Sequence, residues 1–138
     1  MARSCTVVLA SLLVPLVACI GSDRELSSSE VNVTSSCPGE PVLVESIEIV
    51  DGQLNATVGH GGCNAAAVWA CWNGAFAESF PVQAHLAIHH APAGNCDAFF
   101  TQTVSLSLAP VLDAYVEGYH RVDPIVLHVG GKTETWQP

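Results

Sequence analysis

Basic residues are scarce in this sequence of 138 residues: four Lys and Arg stand against thirteen Asp and Glu, and the formal net charge is −9 at pH 7. Proteins that bind nucleic acid neutralise phosphates with clusters of Lys and Arg. Electrostatic attachment to anionic lipid headgroups needs the same kind of cluster. The composition therefore argues against a nucleic-acid partner and against membrane attachment through charge alone.

Catalytic signatures are also missing. The sequence has no Gly-x-Ser-x-Gly, His-Glu-x-x-His or Ser-x-x-Lys motif, and these motifs supply the nucleophile or the zinc ligands in several enzyme families. His120 and Asp123 could belong to a catalytic triad, but a chain with six His and thirteen acidic residues offers many such combinations. A folded part of about 100 residues leaves little room for both a core and a deep cleft. We expect a binding or structural protein without a cofactor, and not an enzyme.

The apolar stretch from Cys5 to Val17 is too short to cross a membrane as a helix. It would span about 20 Å, against about 30 Å for a bilayer core. Because the basic start Met1-Ala2-Arg3 precedes it, residues 1–18 are predicted to be a signal peptide.

The residues that end this segment, Leu16-Val17-Ala18-Cys19, resemble the lipobox of bacterial lipoproteins. In that family the cysteine receives a diacylglyceryl group, cleavage occurs just before it, and the new amino group is acylated with a fatty acid such as palmitate. The resemblance implies that Cys19 is lipidated and that the membrane is a partner through this anchor. Ile20 follows where Asp would be an inner-membrane retention signal, so the expected location is the cell envelope, at the outer membrane if the host has one.

Composition divides the rest of the chain in two. Residues 20–36 contain six serines and no aromatic residue, which predicts a flexible tether over residues 19–36. From Cys37 to Pro138 the sequence changes to short β-rich segments separated by Gly, Pro and Asn. Hydrophobic residues make up 49% of the chain, enough for this part to pack as one domain.

Seven strands are predicted in the domain, and Asp51-Gly52 between the first two indicates a tight hairpin turn. Pro110 to Tyr115 suggests a short helical crossover that Gly118 could end. Many short strands with turn residues between them predict an all-β fold, an antiparallel β-sandwich of the immunoglobulin-like kind. The predicted strands are Val42–Val50, Gln53–Gly59, Ala66–Trp72, Val82–His90, Phe99–Leu108, Pro124–Val129 and Lys132–Trp136.

Several short motifs together resemble a group of exported bacterial lipoproteins similar to NigD-like proteins. The resemblance implies a disulfide-linked β-sandwich and implies no activity. Members of this group often have a His three residues after the first cysteine, where this sequence has Ala66. The motifs are Gly61-Gly62-Cys63, Glu78-Ser79-Phe80-Pro81-Val82-Gln83, Cys96-Asp97-Ala98, Leu108-Ala109-Pro110, Tyr115 and Tyr119.

Four cysteines remain after the signal peptide and Cys19 are set aside: Cys37, Cys63, Cys71 and Cys96. An even number of cysteines in an exported domain predicts disulfide bonds. A bond between Cys63 and Cys71 is excluded, because an extended chain separates their Cα atoms by more than about 20 Å. The resemblance favours Cys63–Cys96, which leaves Cys37 with Cys71.

The histidines are the candidate metal ligands. In the strand Val82–His90, alternation places His85 and His89 on the solvent face, about 13 Å apart, which is too far to chelate one ion. We therefore expect scattered surface histidines and no metal site. The alternative is an extracytoplasmic Zn or Cu site in which His85 or His89 joins His60, His120 or His128 from other strands, since imidazole suits both metals.

The aromatic residues could either fill the core or form a platform for a sugar or peptide ligand. Trp69 and Trp72 lie three apart, so they face opposite sides of a strand and at most one packs inward. We expect the core role, whereas an exposed Trp72 would indicate a binding surface. The set considered is Trp69, Trp72, Trp136, Phe99 and Phe100. The sequence leaves any protein or small-molecule ligand unidentified.

Overall fold

A computed structural model describes residues 26–138 of the chain. The predicted signal peptide and the lipidation of Cys19 lie outside the described residues. Within those residues, no helix has both the length and the apolar character needed to span a membrane.

Nine strands and one helix make up the described part of the chain. All seven predicted strands are present, with bounds that differ by a few residues at most. The elements are β1 (Val31–Val33), β2 (Glu40–Pro41), β3 (Leu43–Val50), β4 (Gln53–Gly61), β5 (Val68–Trp72), β6 (Val82–His90), β7 (Phe99–Ser107), α1 (Ala109–Tyr119), β8 (Ile125–Val129) and β9 (Lys132–Trp136).

The strands form two sheets. The large sheet has the order β1-β5-β6-β8-β9, with β2 also paired to β6, and the small sheet has the order β3-β4-β7. Alternate residues of both sheets enter one hydrophobic core, because successive side chains of a strand point to opposite faces. The largest fully buried side chains come from both sheets and the helix, and include Leu54, Leu106, Leu127, Trp72 and Tyr115. The arrangement is a β-sandwich with one helix.

The hairpin predicted at Asp51-Gly52 is confirmed. Val50 pairs with Gln53 across a two-residue turn, and Asp51 and Gly52 have φ values of 51° and 73°. Two positive φ values are what a type I′ turn requires, and this turn matches the twist of the strands it joins.

The expectation that all strands of the sandwich pair antiparallel is wrong, and the immunoglobulin-like topology is not confirmed. The large sheet is mixed: β1 pairs with β5 in parallel, and β6 pairs with β8 in parallel. Parallel neighbours need a long crossover connection. Here β7 and α1 lie between β6 and β8 in the chain, so the crossover passes through the small sheet and the helix.

The tether predicted over residues 19–36 also needs correction, because its last part belongs to the domain. Val31 is 1% exposed, and β1 pairs with β5 from Val31↔Ala70 to Val33↔Trp72. The side chain of Asn32 donates to the carbonyl oxygens of Ser27 and Ala70 at 2.8 and 3.0 Å. A three-residue strand among serines has no alternation long enough to recognise, so the sequence pattern did not reveal it.

The helix is longer than predicted. It covers Ala109–Tyr119 and passes through Gly118, which was expected to end it. His120, with a φ of 54°, ends it instead, and its backbone N–H donates to the carbonyl of Val116. The last turn is favoured because Tyr119 stacks on Tyr115 and contacts the edge of Phe76.

Two disulfide bonds are present, as the even number of cysteines predicted. They join Cys37 to Cys71 and Cys63 to Cys96, the pairing that the resemblance implied. The first bond attaches the segment between β1 and β2 to the outer face of β5. The second joins the loop after β4 to the loop between β6 and β7.

Candidate functional site

Histidines occur on both faces of the large sheet. On β6, His85 and His89 point outward, whereas His90 is buried between the sheets at 4% exposure. The alternation predicted for this strand is therefore confirmed. His60 on β4 is buried as well, at 3% exposure.

The outer histidine pair consists of His85 on β6 and His128 on β8. The two residues are directly opposite in the parallel register, and their rings stack with centroids 4.5 Å apart and an interplanar angle of 9°. Nε2 of His128 lies 2.8 Å from Oε1 of Gln83, and Nδ1 lies 3.1 Å from Oγ1 of Thr133. Neutral His128 satisfies both contacts, because Nε2–H donates to Gln83 and Nδ1 accepts the Thr133 hydroxyl proton.

Of the five histidines named in the alternative metal site, the structure brings two into contact with each other, His85 and His128. His60 lies on the inner side, against the core. Nδ1 of His89 faces the carbonyl oxygen of Pro38 at 3.2 Å. Across residues 26–138, no three His, Cys, Asp or Glu side chains are grouped so that they could hold a metal ion.

The inner histidine pair consists of His60 on β4 and His90 on β6. Their rings stack across the sandwich with centroids 4.5 Å apart and an interplanar angle of 24°. Alternation along β4 places His60 on the same face as Leu54, Ala56 and Val58, all of which are fully buried. That alternation was available in the sequence and could have identified His60 as an inward residue. Its partner on the opposite sheet could not have been found in this way.

Both rings of the inner pair are anchored by polar contacts. Nδ1 of His60 lies 3.1 Å from the carbonyl oxygen of Gly61, and Nε2 lies 3.0 Å from Oε1 of Gln102 on β7. Nδ1 of His90 lies 2.7 Å from the carbonyl oxygen of Ala91. These contacts fix the orientation of two polar rings at one end of an otherwise apolar core.

One acidic side chain approaches the inner pair from the rim. Oε2 of Glu40 on β2 lies 3.8 Å from Nε2 of His90, and the Glu40 side chain is 79% exposed. A cleft of about 300 Å³ opens beside them. Its walls include the glycine-rich loops that carry the second disulfide bond, at Gly61, Gly62, Gly94 and Cys96.

The expected core role holds for two of the five aromatic residues considered, Trp72 and Trp136, whereas Trp69 and Phe100 are half-buried and Phe99 is exposed. Trp72 is 1% exposed and donates its indole N–H to the carbonyl oxygen of Ala75 at 3.0 Å, and Trp136 is 5% exposed. Trp69 points to the opposite face of β5, as the spacing predicted. Its indole N–H donates to the carbonyl oxygen of Pro38 at 3.1 Å. Phe99 is 61% exposed, and its ring covers Gly59. Trp72 therefore does not provide a binding surface.

The comparisons with known proteins identify structural neighbours and no family. No family model and no curated protein matches the chain. One neighbour is a NigD-like immunity protein from Bacteroides caccae, with a TM-score of 0.46, 16% identity, and coverage of 79% of this chain and 58% of that one. Another is a protein from Parabacteroides distasonis described as toxin-related, with a TM-score of 0.43, 15% identity, and coverage of 78% and 59%. The chain thus spans less than two thirds of either neighbour, and both TM-scores lie below 0.5.

Proposed function

We propose that the protein is an exported lipoprotein that is anchored to a membrane of the cell envelope through Cys19 and presents a small β-sandwich for binding or structural support. The observation that carries the proposal is the lipobox Leu16-Val17-Ala18-Cys19, which stands directly before a domain with two disulfide bonds. Disulfide bonds form and persist in extracytoplasmic compartments. The motif and the disulfide bonds thus indicate the same side of the membrane independently.

The start of β1 supports a sandwich held near the membrane in this proposal. Because β1 begins at Val31, the residues between the lipidated cysteine and the first strand are 20–30. Even fully extended, such a segment reaches at most about 40 Å. We infer a domain that works close to the membrane surface, with the acidic composition keeping it soluble and away from anionic headgroups.

Replacing Cys19 with Ser tests the anchor. We expect the variant to lose incorporation of labelled palmitate and to move from the detergent phase to the aqueous phase in detergent partition, since it lacks the thiol that receives the diacylglyceryl group. Cys5→Ser is the matched control, because this cysteine lies in the segment that is removed, and it should keep label and partition. Palmitate label that persists in Cys19→Ser would contradict the proposal. Non-reducing electrophoresis of both variants shows whether the domain still reached an oxidising compartment.

The competing proposal is an extracytoplasmic Zn or Cu site, and the outer histidine pair is the observation that favours it. Two imidazoles on neighbouring strands could approach one ion if their rings rotated out of the stack. The rotation would break the contacts of His128 with Gln83 and Thr133. Native mass spectrometry with Zn²⁺ or Cu²⁺ separates the two proposals. One equivalent of metal that is lost in His85→Ala and kept in His89→Ala would support the metal site.

A further inference from the structure

Nε2 of His90 is a hydrogen-bond acceptor without a partner in the described part of the chain. Nδ1 of the same ring lies 2.7 Å from the carbonyl oxygen of Ala91. Nδ1 therefore carries the proton of the neutral ring, and Nε2 keeps a lone pair. A carboxylate oxygen of Glu40 lies 3.8 Å from Nε2, which is beyond the length of a hydrogen bond. An acceptor left without a partner inside a protein costs free energy, which a bound donor recovers.

This nitrogen opens into the cleft beside β2. The side chain of His90 is 5% exposed. Among residues 26–138, every side-chain nitrogen or oxygen that is sealed from solvent has a hydrogen-bond partner. Because Nε2 has no such partner, it is not sealed, and His90 and Glu40 both line the cleft of about 300 Å³. A molecule in the cleft thus reaches the lone pair and the carboxylate together.

Both the acceptor ring and the wall of the cleft are held in place. The ring stacks on that of His60 with centroids 4.5 Å apart. In the wall, the backbone N–H of Gly62 donates to the carbonyl oxygen of Ala98 at 3.0 Å. The disulfide bond between Cys63 and Cys96 joins the same two loops. A site that is assembled before its ligand arrives loses less conformational entropy on binding.

We propose that the cleft binds a primary ammonium group, R–NH₃⁺, between Nε2 of His90 and the carboxylate of Glu40. An ammonium carries three N–H donors around one compact charge, so it donates to both acceptors at once. An ammonium nitrogen about 2.8 Å from each acceptor spans the 3.8 Å between them. The cleft volume of about 300 Å³ is at the lower end for small-molecule sites. It suits a small aliphatic amine.

The charges around the cleft favour a cation. Among the described residues, Glu40 is the one carboxylate in the wall, and no Lys or Arg lines it. The two basic residues of this part of the chain are Arg121 and Lys132. Arg121 is paired with Asp123 at 2.8 Å. No positive side chain therefore competes for the acceptors, and the negative net charge of −9 attracts cations to the surface.

A metal ion fits the same cleft less well. Zn²⁺ in proteins is held by three or four side-chain ligands, whereas the cleft offers His90 and Glu40. Cys96 in the wall is joined in a disulfide bond and supplies no thiolate. Across the described residues, no three His, Cys, Asp or Glu side chains are grouped to hold a metal. An ammonium requires acceptors alone and no coordination shell.

An NMR titration of the full-length chain with n-butylammonium chloride at pH 8 tests the proposal. We expect saturable shifts of the backbone amides of Gly62, Gly94 and Asn95. The ring ¹⁵Nε2 resonance of His90 should shift with them, because this nitrogen becomes a hydrogen-bond acceptor. Shifts that do not saturate, or that leave the His90 ring unchanged, would overturn the proposal.

A second compound separates hydrogen bonding from charge without a substitution in the core. Butyltrimethylammonium has the same charge and the same chain but no N–H donor, so we expect it to bind at least about tenfold more weakly. Equal affinities of the two compounds would overturn the proposal. Zn²⁺ alone serves as the third probe. Zn²⁺ that saturates the same resonances and displaces butylammonium would overturn the choice of an ammonium.

Glu40→Gln tests the role of the carboxylate. The substitution leaves the core intact, because the side chain is 79% exposed, and it keeps the lone pair of His90. We expect the affinity for butylammonium to fall about two- to fivefold, the range for a partly exposed ion pair. Glu48→Gln is the matched control, since it removes the same charge from an exposed position on β3. Equal effects of the two variants would show a general charge effect and overturn the assignment of Glu40.

Discussion

Removing the two disulfide bonds one at a time measures what each contributes to the stability of the sandwich. The first variant carries Cys37→Ala with Cys71→Ala, and the second carries Cys63→Ala with Cys96→Ala. The bonded cysteines are separated by 34 and 33 residues along the chain. If a disulfide bond stabilises only by restricting the unfolded chain, its contribution depends on this separation alone. The free energy of unfolding should then fall by about 3.8 kcal/mol in the first variant and by about 3.7 kcal/mol in the second.

The packing around the sulfur atoms separates the two variants. Cys71 is 4% exposed and acts there as a small hydrophobic side chain. Cys96, in contrast, is exposed on its loop. The first bond also holds the segment whose Pro38 carbonyl accepts the side-chain N–H of Trp69. We therefore expect the free energy of unfolding to fall by roughly 0.5–1 kcal/mol more in the first variant than in the second, because Cys71→Ala leaves a buried position incompletely packed.

Urea unfolding without reductant, followed by tryptophan fluorescence, gives both free energies of unfolding. A typical domain has about 5–15 kcal/mol in total, so each variant should stay folded in the absence of urea, with a clearly lower midpoint. The reasoning would be refuted if either variant lost less than about 1 kcal/mol. It would also be refuted if the second variant were the less stable by a clear margin. A loss below about 1 kcal/mol would contradict the stabilisation expected from restricting the unfolded chain. A less stable second variant would contradict the expected contribution of packing around Cys71.

Four further substitutions test the strand β1, the turn between β3 and β4, and the last turn of the helix. Val31→Ala should destabilise the chain by about 1.5–3 kcal/mol in urea unfolding, because it deletes buried methyl groups. Val33→Ala is the control: this side chain is 51% exposed, and its loss should change the free energy of unfolding by less than about 0.5 kcal/mol. Equal effects of the two substitutions would show that β1 is not part of the folded domain. Gly52→Ala should lower the free energy of unfolding by about 1 kcal/mol, because a residue with a side chain is strained at a φ of 73°. A steric clash adds nothing to this loss, since the added carbon meets only one atom, 4.0 Å away. Gly118→Ala, in the last turn of the helix with open space around it, should instead stabilise by about 0.5 kcal/mol, and a loss of thermal stability in that variant would contradict this.

The local pattern of the sequence determined most of the elements. Alternation along β6 assigned His85 and His89 outward and His90 inward, and the structure agrees. The Asp51-Gly52 turn followed from the positive φ that a type I′ turn requires. The resemblance of residues 16–19 to a lipobox is likewise local, and the lipidation of Cys19 stays a prediction. In each of these cases a few neighbouring residues contain all the information, because side-chain alternation and turn geometry depend only on the adjacent backbone.

Tertiary structure decided which segments meet. The parallel pairing of β6 with β8, the entry of β1 into the large sheet, and both histidine pairs depend on the register between strands far apart in the chain. The sequence assigned His128 to a predicted strand and placed His60 directly after another, but their partners His85 and His90 became known only once the sheets were assembled. Register is set by how well all the buried side chains pack at once. A local pattern shows which face a residue occupies and leaves open what lies across from it.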